Sequence, residues 1–150
     1  MSCDDLDRGI IAKLNDDGRA SNKDIAASLG VSEGTVRNRV GKLTEFGALK
    51  VAGLVNPDLS PGKQLVLLGV NLSCSKELTR RAEEIAALSG VLAVHITAGR
   101  YDLIVEVWLD TKSGLIGFLS GPLAHVEGVV STESFLVMKS YNRWIPRPDL

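Results

Sequence analysis

The chain has 150 residues, 45% hydrophobic and 23% charged, with 17 Lys/Arg against 18 Asp/Glu and a formal net charge of −1. This composition suits one or two small folded domains and excludes a disordered, collagen-like or generally basic chain. No apolar run reaches the ~18–20 residues a membrane helix needs, and the acidic start lacks the regions of a signal peptide, so a cytoplasmic protein with no membrane partner is expected. Cys3 and Cys74 show no metal or redox spacing and are expected as free thiols. With His95 and His125 as the only histidines, no metal cluster and no cofactor are expected.

In chain order, Leu6–Asn15 reads as a helix offering Leu6, Ile10, Ile11 and Leu14 to a core. Ser21 can cap a second helix and makes a near capping box with Asp24. Ile25, Ala26 and Leu29 follow at helical spacing, and Gly30 ends that helix. Ser32 caps a third helix whose apolar set is Val36, Val40 and Leu43, with Val31 joining the core. Arg37, Asn38, Arg39 and Lys42 are left for solvent or phosphate. Two capped helices joined by a Gly turn form a helix-turn-helix, whose second helix enters the DNA major groove.

A plain helical bundle with a solvated face fits the same periodicity; charge placement favours the DNA reading. Residues 1–60 hold eight basic and nine acidic residues, yet positions 31–50 hold four basic and two acidic ones, a local basic face. Ser32, Glu33, Gly34, Thr35, Arg37, Asn38, Arg39 and Lys42 are the candidate contacts to double-stranded DNA. A single copy of so weakly charged a domain should bind loosely, which implies a dimer.

Leu49–Val55 reads as a short strand serving as wing or connector, and Asn56–Lys63, with two prolines and a glycine, interrupts both periodicities. The expected organisation is a winged-helix-like helix-turn-helix domain over 1–54, a linker over 55–63, a second domain over 64–140 and a tail over 141–150. The second domain reads as strand Gln64–Leu72, capped helix Lys76–Leu88, strands Val91–Thr97 and Leu103–Leu109, helix Ser113–Ala124 and strand Val129–Met138. This β-α-β-β-α-β order describes an α+β, ferredoxin-like sandwich with two helices on one face of an antiparallel sheet. Its other face needs a cover, so this domain is expected to dimerise. In the tail, Pro146 and Pro148 exclude a helix, while Tyr141, Trp144 and Ile145 are expected to pack on their own domain or a neighbouring subunit.

The phrases Leu6–Asp7 and Asp17–Asn22, the helix-turn-helix, Gly99–Arg100–Tyr101–Asp102 between the second and third strands, and Val126–Val129 with Ser131–Glu133 and Val137–Lys139 resemble the leucine-responsive/asparagine-regulator (Lrp/AsnC) family over nearly the whole chain. The resemblance implies a transcriptional regulator whose second domain mediates oligomers and senses an amino acid or related metabolite. It implies a homodimer assembling further, often to an octamer, with the effector between dimers. Carried over, Thr97, Ala98, Gly99, Arg100, Tyr101 and Asp102 form the effector loop, joined by Ser131, Thr132 and Ser134 from a facing dimer.

The loop's glycine lets backbone approach a ligand, its amides suit a carboxylate and Asp102 suits an α-ammonium. A hairpin connection in which Tyr101 packs and Asp102 caps the turn is the alternative. His95, on the approach strand, reads as a packed residue rather than a ligand. Two other functions stand beside the regulator: a siroheme-decarboxylase-like enzyme and an effector-independent, nucleoid-organising DNA-binding protein. No paired nucleophile and base, phosphate loop or metal spacing supports catalysis, and no enzyme is expected.

Overall fold

The computed structural model describes residues 3–146 and divides after Gly53 into two compact units. The first unit is three helices: α1 (Asp5–Asp16), α2 (Asn22–Leu29) and α3 (Glu33–Glu45). Each begins at a side-chain cap. Asp4 and Asp7 close a reciprocal capping box on α1, Ser21 Oγ accepts from Asp24 N at 3.1 Å, and Ser32 Oγ accepts from Thr35 N at 3.1 Å. The Ser21 box closes differently from α1's, since the Asp24 carboxylate accepts from the Ser21 hydroxyl at 2.6 Å. Gly30 ends α2 at φ +67°, the left-handed backbone that glycine adopts cheaply. Ile10, Ile25, Ala26 and Val36 form the centre, with Leu6, Leu14, Leu29, Val31 and Val40 around them.

The second unit follows the β-α-β-β-α-β order with trimmed edges. Its elements are β1 (Leu54–Val55), β2 (Lys63–Leu72), α4 (Leu78–Ala86), β3 (Val91–Ile96), β4 (Leu103–Asp110), α5 (Gly114–Ser120), β5 (Val129–Leu136) and β6 (Ile145–Pro146). Four strands form one antiparallel sheet in the order β3-β4-β2-β5. Alternation sends Val66, Leu68 and Val70 of β2 and Leu103, Val105, Val107 and Leu109 of β4 to one face. There they bury with Ala82 and Ile85 of α4 and Phe118 of α5.

Both helices are shorter than their sequence patterns. Ser75–Glu77 and Leu123–His125 are 3-10 turns flanking α4 and α5, and α4 lacks the side-chain cap expected of it. Arg81 lies buried on α4 among Glu77, Glu84 and Glu127, at 2.7, 2.9 and 3.1 Å, and this carboxylate cage raises its pKa.

The expected strand over Leu49–Val55 is shortened to β1, which pairs antiparallel with β6 rather than forming a wing. Residues 55–63 are thus built into the second unit, with Pro57 buried. Ile145 is fully buried beside Leu65 and Trp108, with Val55, Leu92 and Val137 around them. Tyr141 and Trp144 are exposed in the single chain, so they do not pack on their own unit; a neighbouring subunit is the other cover expected of them. Arg147 and Pro148 lie outside the described residues. Among the described residues no helix is long and apolar enough to cross a membrane, and no group of metal-ligating side chains assembles. Cys3 and Cys74 are unpaired.

Gly69 in the centre of β2 is where the Tyr101 ring crosses the sheet: an added Cβ would meet three ring carbons at 2.7–2.8 Å. Gly69→Ala should therefore destabilise the second unit by about 1–3 kcal/mol in denaturant unfolding. In a Tyr101→Ala background the same change should cost less than about 0.5 kcal/mol.

Candidate functional sites

On α3, Val36 and Leu43 are fully buried, so the opposite face points to water. That face carries Gly34, Asn38 and Gly41, flanked by Arg37 and Lys42, all exposed. Gly34 and Gly41 stand one turn either side of Asn38; space beyond Gly41 is open, and beyond Gly34 a side chain would touch only Ser32 Oγ, at 3.9 Å. The middle of the helix can therefore approach a groove floor with Asn38 as its foremost side chain. Arg37 is paired with Glu33 on the surface, an exposed i,i+4 contact worth little and easily exchanged for phosphate or a base. Ser32 and Thr35 share a hydroxyl contact at 2.8 Å in the helix's first turn, where backbone N–H groups favour an anion.

Arg39 differs from the other candidates and corrects the expectation of a solvent-facing cation. Its Nη1 lies 2.6 Å from Asp4 Oδ2 and 3.2 Å from Asp7 Oδ1, so it turns back onto α1. The physical reason lies in spacing: positions 36, 39, 40 and 43 form one inward stripe, and Arg39 occupies its edge. Hydrogen bonding from Asp7 N, reinforced by Arg39, holds the Asp4 carboxyl below its ordinary value.

In the second unit Thr97–Asp102 joins β3 to β4. Thr97 N donates to Asp102 O at 3.0 Å, Thr97 Oγ1 donates to Tyr101 O at 2.6 Å, and Asp102 N donates to Val70 O at 3.1 Å. One Asp102 oxygen is already committed, accepting from Leu72 N at 2.7 Å. The Asp102 carboxylate thus extends the ladder at the end of β2, as a turn cap does. Ala98, Gly99 and Arg100 form an exposed tip whose amides have no hydrogen-bond acceptor among the described residues.

Tyr101 lies over Gly69, donates its hydroxyl to Glu133 and meets Phe135 edge-on at 6.3 Å. The bond to Glu133, together with desolvation, raises the Tyr101 pKa. Arg100 stands 5.4 Å over the Tyr101 ring and 3.3 Å from Glu133. Glu133 was not among the candidates from sequence, although it sits between two of them.

Ser131, Thr132 and Ser134 do not form one set. Opposite Val70 and Leu68, Thr132 and Ser134 share the helix-bearing side, whereas Ser131, opposite Asn71, lies with Glu133 and Phe135 on the other face. Ser131 Oγ accepts from Asn71 Nδ2 at 3.2 Å. Thr132 lines a hollow of about 230 Å³ with Leu119 and Leu123, and a larger one of about 410 Å³ lies between Lys63, Trp108 and Met138. His95 is exposed beside Glu106 at 3.7 Å, and the same carboxylate takes Arg143.

Two family models match the chain, an AsnC-type helix-turn-helix domain over residues 4–44 and an Lrp/AsnC ligand binding domain over residues 65–144. An uncharacterized HTH-type transcriptional regulator of Pyrococcus furiosus is 34% identical over 142 residues, covering 94% of this chain and 95% of its own. The solved structure of Escherichia coli AsnC is 25% identical with TM-score 0.69, over 93% of this chain and 95% of its own. The fold also matches a Neisseria meningitidis transcriptional regulator solved as an L-Met complex, with TM-score 0.72, 19% identity and coverage of 98% and 97%. These relatives are transcription regulators, not enzymes, which removes the decarboxylase alternative. The chain belongs to the Lrp/AsnC family of helix-turn-helix transcriptional regulators, with a DNA-binding unit followed by a ligand-binding unit.

Proposed function

We propose that this regulator reads a specific DNA sequence as a cytoplasmic homodimer or higher oligomer, and that an amino acid or close metabolite bound at the Thr97–Asp102 loop controls it. The reading face is α3, with Asn38 and Arg37 toward base edges, Lys42 toward phosphate, and Ser32, Glu33, Gly34 and Thr35 at the helix entry. The observation that carries this is the exposed Gly34–Asn38–Gly41 face, which leaves Asn38 unobstructed. Asn pairs in bidentate fashion with adenine and Arg with guanine.

The effector reading rests on the loop's chemistry. The amides of Ala98, Gly99 and Arg100 suit a carboxylate, while Glu133 and the remaining Asp102 oxygen suit an α-ammonium. The L-Met complex of the Neisseria relative is in keeping with a ligand of that class. The loop is exposed in a single chain, and the hollows beside Trp108 and Leu119 lie elsewhere, so enclosing a ligand here calls for another copy.

The sheet supports self-association independently. On the face away from the helices, Leu65 and Trp108 are covered by Ile145 and its neighbours, whereas Leu67, Ile104 and Phe135 have no such cover. Phe135 is 42% exposed, a costly position for an aromatic ring that a second copy would cover. Pairing two second units would bring two reading helices to one duplex, as a dimer reading two half-sites requires.

Three measurements test this reading. Asn38→Ala and Arg37→Ala should each cost about 1–3 kcal/mol on a duplex selected by the wild-type chain, with preference lost at one base position. Equal loss on every sequence would mark a nucleoid-organising protein instead. A thermal-shift screen of the twenty amino acids and their keto acids should find a ligand stabilising the chain by about 2.7 kcal/mol at a hundred times its Kd. A flat screen would remove the effector. Phe135→Glu should reduce the mass in solution by at least half; unchanged mass would move the interface elsewhere.

A further inference from the structure

Asp7 is a carboxylate with 1% of its surface exposed, in the first turn of a helix otherwise read as a core element. Its cationic partner among the described residues is Arg39, 32 positions later on the reading helix. Each carboxylate of the pair is divided in the same way. Asp4 Oδ1 accepts from Asp7 N at 2.9 Å and Asp7 Oδ2 from Asp4 N at 3.2 Å, closing the cap, while the other oxygen of each accepts from Arg39 Nη1. The α1 cap and the α3 guanidinium are thus one polar unit, and a buried carboxylate cannot lose its only cation without heavy cost.

This unit adds a directional restraint on the roll of α3 to the apolar contacts around it. Val36 and Val40 seat α3 on its aliphatic neighbours, and the Arg39 hydrogen bonds, which tolerate only a few tenths of an ångström, add a directional tie from one edge of α3 to α1. Asn38 is the residue before Arg39 and points about 100° away around the helix. A roll of 10° moves a side-chain tip by about 1 Å at the radius of a helix with its side chains, enough to break a bidentate base contact.

We propose that Arg39 is a positioning residue for DNA reading, holding the base-reading face of α3 in register through Asp4 and Asp7 rather than touching the nucleic acid. Two opposed expectations follow from charge alone. A phosphate-binding Arg39 would make Asp7 a nuisance, a negative charge near DNA whose removal strengthens binding. A positioning Arg39 makes Asp7 necessary.

The test uses the full chain and two duplexes, one selected from a randomised pool by the wild-type chain and one of equal length and unrelated sequence, each titrated across a range of KCl. Arg39→Gln and Asp7→Asn should each lose at least tenfold on the selected duplex. Neither should lose more than twofold on the unrelated one, and the salt slope should stay at the wild-type value. The double variant should be no worse than either single one. Asp4→Asn, at the surface and tolerable to the fold, should lose about threefold on the selected duplex alone, which keeps the test decisive should Arg39→Gln or Asp7→Asn not fold. Asn38→Ala serves as the direct-contact control.

A fall in salt slope of about 0.9 in Arg39→Gln, with both duplexes weakened alike, would identify a phosphate contact and overturn the proposal. Tighter binding of both duplexes by Asp7→Asn or Asp4→Asn would overturn it as well. So would an equal loss on both duplexes in every variant, the mark of a merely destabilised unit. Failure of DNA reading through α3 itself would show separately, as an Asn38→Ala variant that discriminates like the wild type.

Discussion

The ten-residue strand β2 lies between β4 and β5, and its side chains alternate strictly between two environments. Val66, Leu68 and Val70 go to the helices; Leu65, Leu67, Gly69 and Asn71 go to the other face. A one-residue slip would exchange these sets and put three buried aliphatic side chains in water. Because both neighbours take their register from β2, the same alternation decides what meets the Thr97–Asp102 loop. Gly69 falls under the Tyr101 ring, and Glu133, opposite Gly69, falls within reach of its hydroxyl. Core packing and loop chemistry are therefore one register seen from two sides.

Much of this was readable from residues alone, where the signals are local. The Ser21 and Ser32 caps, the Gly30 stop and the Val36–Leu43 stripe each depend on neighbours a few positions away, and each helix stands where those signals put it. The β-α-β-β-α-β order of elements along the chain followed from the change of periodicity after Asn56–Lys63. What escaped was long-range. Nothing near Leu54 announces Ile145, so β1 read as a wing or connector. The Asp4–Asp7 box lacks the Ser/Thr and Glu/Gln of the usual capping signature, although an acid at both ends satisfies the same donors.

Arg39 shows a different limit. Its place on the inward stripe was legible from spacing, but a cation there reads as solvated unless a buried acid is known to face it, and Asp7 is 32 residues away. Ser131, Thr132 and Ser134 were carried over together from the family resemblance, whereas a strand sorts them by parity. Glu133, the residue that engages Tyr101 and Arg100, shares parity with Ser131 and was not among the residues carried over.

The β1–β6 ribbon carries a consequence for how the chain reaches this fold during synthesis. Helix contacts in the first unit join residues at most a few tens of positions apart, so that unit can form soon after it emerges. Val55 must wait for Ile145, roughly ninety residues later. Until then Leu65 and Trp108 lack the side chain that seals them, and the open sheet is larger by that patch. The ribbon therefore closes late in synthesis, after the strands of the sheet it seals have already been made.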